Sequence, residues 1–450
     1  MLDPSDTLRT TAPAPVSTSP ADVNFGRRTF VAAVGSAAAA SAFALPVARA
    51  AHAWGSDTIK IGLVGCGGRG SGAAGQALNA DKGVVLHAMG DVFKDRLDSS
   101  HKALTESMGE AAKDRVVCGD RMFTGFDCYK SVIDSGVDAV LLTSYPNFRA
   151  SHAAYAIEKG KHVFAEKPVA VDPAGIRKFL TIGEDAKKKN LSLMVGFCWR
   201  YHPAMREAFA QVLGGAIGEV TSAYTNYLTG QLPKRKREEA WTDLEFQMRN
   251  WWHHTWISGD HIVEQAVHSV DRLAWAFGDR TPTQAHCLGG RMTRSGPEHG
   301  DSYDHFSAVY LYEGGLRGFH DCRQMPECPS DNTDYIYGTK GKAVINGWNP
   351  RSIKLTDYAG KTIWQYKGES DDMYQVEHNE LFRGIRAGKP INDLPHAANS
   401  CMMAIMARMA AYTGQTITWA DAMASTLDLQ PAKLEFGPMP TPTVSIPGKK

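Results

Sequence analysis

Thr58-Ile59-Lys60-Ile61-Gly62-Leu63-Val64 runs directly into Gly65-Cys66-Gly67-Gly68-Arg69-Gly70, and the reading of this stretch decides the fold. The first seven residues form a short, mostly apolar run of the kind that a buried parallel strand shows. The next six have GxGxxG spacing, and the small residues from Ser71 to Asn79 suit a helix. Strand, tight turn and helix therefore stand in the order that a dinucleotide fingerprint requires. Gly65 permits the turn, Gly67 lets backbone approach a pyrophosphate, and Gly70 lets the helix pack on the strand, with Gly68 and Arg69 completing the cofactor loop. Phosphates would sit where the helix N-terminus leaves N–H groups unsatisfied.

A second apolar run, Val84 to Gly90, ends in Asp91, 21 positions beyond Gly70. An acid there accepts from an adenosine ribose 2′-OH and repels a 2′-phosphate, so NAD is the expected cofactor. Lys94 and Arg96 stand close enough to leave NADP open. A third run, Ala139-Val140-Leu141-Leu142, gives way to Thr143-Ser144-Tyr145-Pro146, of which Thr143, Tyr145 and Pro146 join the expected cofactor site, and a helical stretch follows from Ala150 to Lys159. Strands alternating with helices of this length predict an α/β fold with a doubly wound parallel sheet over residues 55–175.

The 450 residues are 43% hydrophobic and 22% charged, which excludes a disordered or collagenous chain, and a net charge of +1 supplies no field for nucleic acid or an anionic membrane. Eight scattered cysteines without a CxxC pair suggest neither a zinc site nor a disulfide lattice. Residues 1–24 are rich in Pro, Ser, Thr and Ala, and lead into Gly26-Arg27-Arg28-Thr29-Phe30 and an Ala-rich stretch ending in Ala48-Arg49-Ala50. Residues 1–50 thus resemble a twin-arginine signal with a small-residue cleavage site, and the run is too weakly apolar for a membrane anchor. That resemblance implies export of a folded, cofactor-loaded protein to a periplasmic or other extracytoplasmic space, without stable membrane insertion after cleavage.

Gly160-Lys161-His162-Val163-Phe164-Ala165-Glu166-Lys167-Pro168, followed by Val195-Gly196-Phe197-Cys198-Trp199-Arg200-Tyr201-His202-Pro203, a helix around His268 and a helical tail over Glu377 to Ala387 and Ala397 to Ala411, resembles the Gfo/Idh/MocA oxidoreductases. The resemblance covers roughly residues 57–425. It implies a Rossmann domain, a cis bond before Pro168, an active-site role for Lys167 and His268, a cofactor-side role for Glu166, and frequent association through a sheet. A lysine at a parallel strand's carboxyl end faces the crevice where cofactor and substrate meet, and its ammonium stabilises alkoxide-like charge. A lysine that merely caps the sheet is the alternative.

Asp260-His261-Ile262-Val263-Glu264-Gln265-Ala266-Val267-His268-Ser269-Val270-Asp271 reads as a helix, with Glu264, His268 and Asp271 stacked on one face. His268 is the expected general base. Glu264 stands where the family pattern often has aspartate, and is expected to bind substrate or orient the histidine. The pair could also ligate a metal, but no third ligand is evident, so none is expected. Upstream, Asn250-Trp251-Trp252-His253-His254-Thr255-Trp256 offers flat apolar faces beside polar edges, which suits a sugar or polyol. Arg200, Tyr201, His253, His254 and Asp260 are the expected substrate residues, with His202 a further candidate, whereas Lys234-Arg235-Lys236-Arg237-Glu238-Glu239 reads as a solvated loop.

Residues 176–450 carry short strand patterns over 220–227, 286–292, 307–312, 315–322, 334–337, 343–345 and 352–356. These predict an α+β domain with a mostly antiparallel, open-faced sheet, suited to a homo-oligomer, with tail helices that return to the first domain. The expected function is NAD(P)-dependent hydride transfer between a tightly bound cofactor and a sugar or sugar derivative. A redox-neutral, NAD-assisted glycosidase and a cofactor-dependent binding protein or sensor are the alternatives.

Overall fold

The computed structural model describes residues 57–369 and 371–449, and the twin-arginine stretch lies outside them. The first part of the chain alternates as expected: β1 (Ile59–Val64), α1 (Gly68–Ala80), β2 (Val84–Asp91), α2 (Lys94–Met108), β3 (Met122–Thr124), α3 (Cys128–Asp134), β4 (Ala139–Leu142), α4 (Pro146–Glu158), β5 (His162–Ala165), α5 (Pro173–Lys188) and β6 (Leu193–Val195). The strands form one six-stranded sheet in the order β3-β2-β1-β4-β5-β6, with every pairing parallel. Successive side chains feed opposite cores. Ile61, Leu63, Leu141, Phe164 and Met194 pack on one face, and Val64, Val140, Leu142, Val163 and Val195 on the other. A sheet covered on both faces explains the unbroken apolar runs of its strands. Strand order reverses between β1 and β4, and the crevice at that switch point is where such a sheet receives ligand. The sheet runs on to β6, past residue 175, where the sequence pattern changes.

Next come α6 (Pro203–Leu213), β7 (Val220–Thr229), α7 (Asp243–Arg249), α8 (His261–Glu264), α9 (Val267–Ala276), β8 (Gln284–Gly290), β9 (His305–Leu311), β10 (Arg317–Gln324), β11 (Thr333–Gly338), β12 (Gly341–Asn346), β13 (Lys354–Asp357), β14 (Thr362–Gln365), α10 (Met373–Arg386), α11 (Leu394–Thr413) and β15 (Ile417–Thr418). Nine strands form the second sheet, β14-β13-β12-β11-β7-β10-β9-β8-β15, antiparallel apart from the β7/β10 pair. Its inner face packs on α9 and α11, whose alanines and methionines are buried. β14 and β15 lack a sequence signal because they are short edge strands. The tail helix α10 lies against α1, where Gln375 Nε2 donates to the Gln76 carbonyl and Arg386 pairs with Asp81 at 2.8 Å. No helix among the described residues is long and apolar enough to cross a membrane.

One buried ion pair joins α9 to the second sheet. Arg272 Nε donates to Asp334 Oδ2 at 2.5 Å, and Arg272 Nη2 donates to Ser269 Oγ and Asn332 Oδ1. Both charged side chains are fully buried. Removing one partner of such a pair strands the other charge in the core. Asp334→Ala is expected to lower the free energy of unfolding by about 3 kcal/mol or more, and Arg272→Met in the same chain to restore part of the loss, as read by urea denaturation.

Candidate functional site

The glycine turn is built by close backbone packing. Gly65 has φ +97°, and a Cβ there would lie 2.4 Å from the Ser144 nitrogen; a Cβ on Gly70 would lie 1.9 Å from the Gly65 carbonyl oxygen. At Gly67 and Gly68, by contrast, a Cβ would meet nothing within 4 Å. The turn is thus tight on its protein side and open on its cavity side. Among the described residues no side chain caps α1, which leaves its first N–H groups to an anion. Asp91 closes the turn from β2: Cys66 N donates to Oδ2 at 2.6 Å and Phe93 N donates to Oδ1 at 2.9 Å. Burial raises the Asp91 carboxyl above its ordinary value, against the lowering effect of those two donors. Lys94 is paired with Asp98, and Arg96 donates to the Tyr145 hydroxyl at 2.8 Å, so neither basic group near Asp91 is without a protein partner.

Arg69 lies at the cavity wall but spends its donors on protein. Nε donates to Glu166 Oε1 at 2.5 Å, Nη2 to Glu377 Oε1 at 3.0 Å and Nη1 to Gln76 Oε1 at 2.7 Å, while the guanidinium faces the Tyr374 ring at 4.7 Å. Burial disfavours the Glu166 carboxylate, but Arg69, Lys167 and Arg149 outweigh it and hold its pKa below the ordinary value. Burial pushes Glu377 well up. Gly196, after β6, leaves room for Glu166, because a Cβ there would lie 2.9 Å from its carboxylate.

The peptide bond between Lys167 and Pro168 is cis. Lys167 Nζ donates to the backbone carbonyl of Glu264 at 2.7 Å. The helix expected across 260–271 is interrupted: α8 ends at Glu264, the backbone N–H groups of Gln265 and Ala266 both donate to the His261 carbonyl, and α9 begins at Val267. The break presents Glu264, Gln265 and His268 to one cavity of about 820 Å³, which Lys167, Gly67 and Asp91 also line. Thr143, Tyr145, Pro146 and Glu166 line it as well. His268 is buried, and its Nδ1 has no partner among the described residues. Burial and the nearby Lys167, Arg272 and Arg69 charges drive its pKa well down, so the ring is a neutral base. Burial raises Glu264 to about 7, against the attraction of Lys167.

The expected substrate set lies elsewhere. Arg200 is held by Asp271 at 2.9 Å and Asp279 at 2.6 Å and stacks on Trp275, because a buried guanidinium needs carboxylates. Asp271 is thereby turned to Arg200 and Ser400, not to the face of Glu264 and His268. The Tyr201 hydroxyl donates to Asp393, and His202 accepts from Ala204 N at the start of α6. Asp260 accepts from His261 N, Tyr303 N and the Tyr412 hydroxyl. His253 and His254 are fully buried, His253 beside the Pro233 carbonyl. None of these residues lines the cavity, and Trp251, Trp252, Tyr227, Gln265 and Tyr374 do. The aromatic loop therefore delivers Trp251 and Trp252 and packs Trp256 and its histidines away.

Residues 59–197 match the oxidoreductase family with an NAD-binding Rossmann fold, and residues 205–344 match the GFO/IDH/MocA C-terminal domain. The chain belongs to the Gfo/Idh/MocA family. Myo-inositol 2-dehydrogenase of Thermotoga maritima is 22% identical over 338 residues, which span 74% of this chain and 90% of that protein. Inositol 2-dehydrogenase of Salmonella typhimurium is 24% identical over 341 residues, 74% of this chain and 88% of that protein. Levoglucosan dehydrogenase in complex with NADH and levoglucosan shares the fold, with a TM-score of 0.63 at 17% identity over 80% of this chain and 99% of that chain. This Gfo/Idh/MocA chain is an NAD-binding oxidoreductase acting on CH–OH groups, and the turn open at Gly67 and Gly68 fits the dinucleotide.

Gln265, Tyr227, Tyr374 and Glu377 carried no readable signal, because their place at the site depends on the helix break, on β7 and on the returning tail. No group of three or more His, Cys, Asp or Glu able to hold a metal occurs among the described residues. The raised Glu264 pKa has a stability consequence. The folded chain binds this proton more tightly than the unfolded chain does, so its contribution is complete below the ordinary value of 4.5 and is lost as pH rises to about 7. Glu264→Gln lacks that loss. Its stability relative to the unmodified protein is expected to rise by about 3 kcal/mol between pH 4.5 and 7 and to stay level above, as read by melting curves across pH.

Proposed function

We propose that this family member transfers hydride between a resident NAD and a hydroxyl or carbonyl of a sugar or polyol. The observation that carries the reading is the convergence of Lys167, Glu264 and His268 on the cavity into which the glycine turn opens. The nicotinamide, when bound, supplies the hydride acceptor or donor. Neutral His268 takes the hydroxyl proton as the carbinol becomes a ketone. The Lys167 ammonium, steadied by the Glu264 carbonyl, donates to the substrate oxygen as negative charge develops. Trp251, Trp252 and Tyr227 supply apolar faces for a ring, and relatives named inositol dehydrogenases support a polyol. Asp91, with Lys94 and Arg96 already partnered, favours NAD over NADP.

Gly26-Arg27-Arg28-Thr29-Phe30 and the Ala-rich run after it support export by the twin-arginine route. Outside the cytoplasm little free NAD is available for exchange, so the cofactor travels with the protein. Phe319 and Tyr337, each 37% exposed on the second sheet, support association of copies.

Two measurements check the proposal. Denaturing the exported protein, purified without added nucleotide, is expected to release NAD at about one per chain, and an empty site would contradict residence. Lys167→Ala is expected to keep the nucleotide and lower kcat for polyol oxidation at least about a hundredfold. Unchanged turnover would remove Lys167 from the reaction.

A further inference from the structure

Gln324, at the end of β10, does not line the cavity but hydrogen-bonds side chains that do. Its Oε1 accepts from Arg294 Nη2. A guanidinium only donates, so the atom facing Arg294 is the oxygen and the Gln324 amide nitrogen points the other way. That nitrogen donates to Gln265 Oε1 at 2.5 Å and to Glu264 Oε1 at 3.4 Å. The orientation is then passed on. With its oxygen committed to Gln324, Gln265 turns its amide nitrogen away, and this nitrogen has no hydrogen-bond partner among the described residues on a side chain that lines the cavity. Arg294 is itself fixed, with Nη1 donating to Ser302 Oγ at 2.6 Å and to the Tyr303 carbonyl at 2.7 Å, and it is buried. A chain of donors starting in the core thus sets the polarity of one residue in the cavity wall, between Glu264 and His268.

We propose that Gln265 is a specificity-determining residue whose amide N–H groups donate to a hydroxyl beside the reacting carbinol, and that Gln324 and Arg294 are positioning residues that fix this polarity. The assignment rests on the polyol reading above and deepens it. Gln265 offers donors and Glu264 an acceptor, flanking the carbinol that Lys167 and His268 address. The substrate is therefore a vicinal diol within a cyclic polyol, and a compound lacking the neighbouring hydroxyl leaves a donor in the cavity wall unpaired.

The test uses the NAD-loaded protein with myo-inositol, levoglucosan and D-glucose, and the monodeoxy analogues of the best of these, each lacking one hydroxyl next to the oxidised carbon. The unmodified protein is expected to prefer the parent polyol over one analogue by about tenfold or more in kcat/KM. Gln265→Met, of similar volume without the donor, is expected to raise KM for the parent about tenfold, keep kcat within about threefold and leave that analogue unchanged, so that discrimination collapses. Gln324→Glu keeps an oxygen for Arg294 but cannot donate to Gln265, whose amide must then turn over. It is expected to reproduce the loss of discrimination, with no further loss when combined with Gln265→Met, and Gln324→Asn is not expected to rescue it. Unaltered discrimination in Gln265→Met, or effects of the two variants that simply add, overturns the assignment while leaving the functional reading intact. Absence of any NADH formation by the unmodified protein with all three polyols overturns the functional reading and this assignment together.

Discussion

The Arg69 guanidinium, clasped by Glu166 at 2.5 Å and Glu377 at 3.0 Å, is the interaction on which the site depends. It joins the first turn of α1, the end of β5 and the tail helix α10, parts of the chain that lie 97 and 308 residues away from it. Part of this guanidinium faces the cavity, and its inner side is matched by the two carboxyl groups. Arg69, Lys167 and Arg149 hold the Glu166 carboxyl below its ordinary value, whereas burial pushes Glu377 up. Because Lys167 follows Glu166 directly, the clasp that braces the phosphate-facing turn also fixes where the substrate-facing lysine begins. Cofactor loop and reacting groups thus belong to one braced unit.

In the core Arg200 pairs with Asp271, Arg272 pairs with Asp334, and Asp260 accepts from Tyr303 N and the Tyr412 hydroxyl. His268 Nδ1 is left without a protein partner among the described residues, as are the open N–H groups at the start of α1. A buried polar group that folds without a partner is costly, and one that lines a cavity can be satisfied by a ligand. Both ring nitrogens of His254 and Nδ1 of His253 also lack partners among the described residues, but neither residue lines the cavity, where His268, Lys167 and the glycine turn meet.

Much of the fold was legible because its signals are local in sequence. The apolar runs of β1, β2 and β4, the GxGxxG turn and Asp91 each express a requirement of neighbouring residues, and the turn's requirement is visible as the close approach of Gly70 to the Gly65 carbonyl. Lys167 and His268 were legible through the family pattern around them. Arg200, Tyr201, His253, His254 and Asp260 misled because sequence shows that a residue is polar but not whether its partner is a ligand or a distant part of the chain. Asp279, Asp393, Pro233 and Tyr412 are those partners. Helical spacing misplaced Asp271 for a different reason: the break at Gln265 changes the phase between Glu264 and the following helix. The same break brings Gln265 into the cavity, and no periodicity could have announced it.

A crystal structure of the protein loaded with NADH and a cyclic polyol tests the central claim most directly. The account predicts the pyrophosphate against Gly67 and Gly68, and one polyol hydroxyl within hydrogen-bond distance, about 3 Å, of both Lys167 Nζ and the His268 ring. A polyol bound instead against His253, His254 or Arg200, or a dinucleotide lying away from the glycine turn, would contradict it.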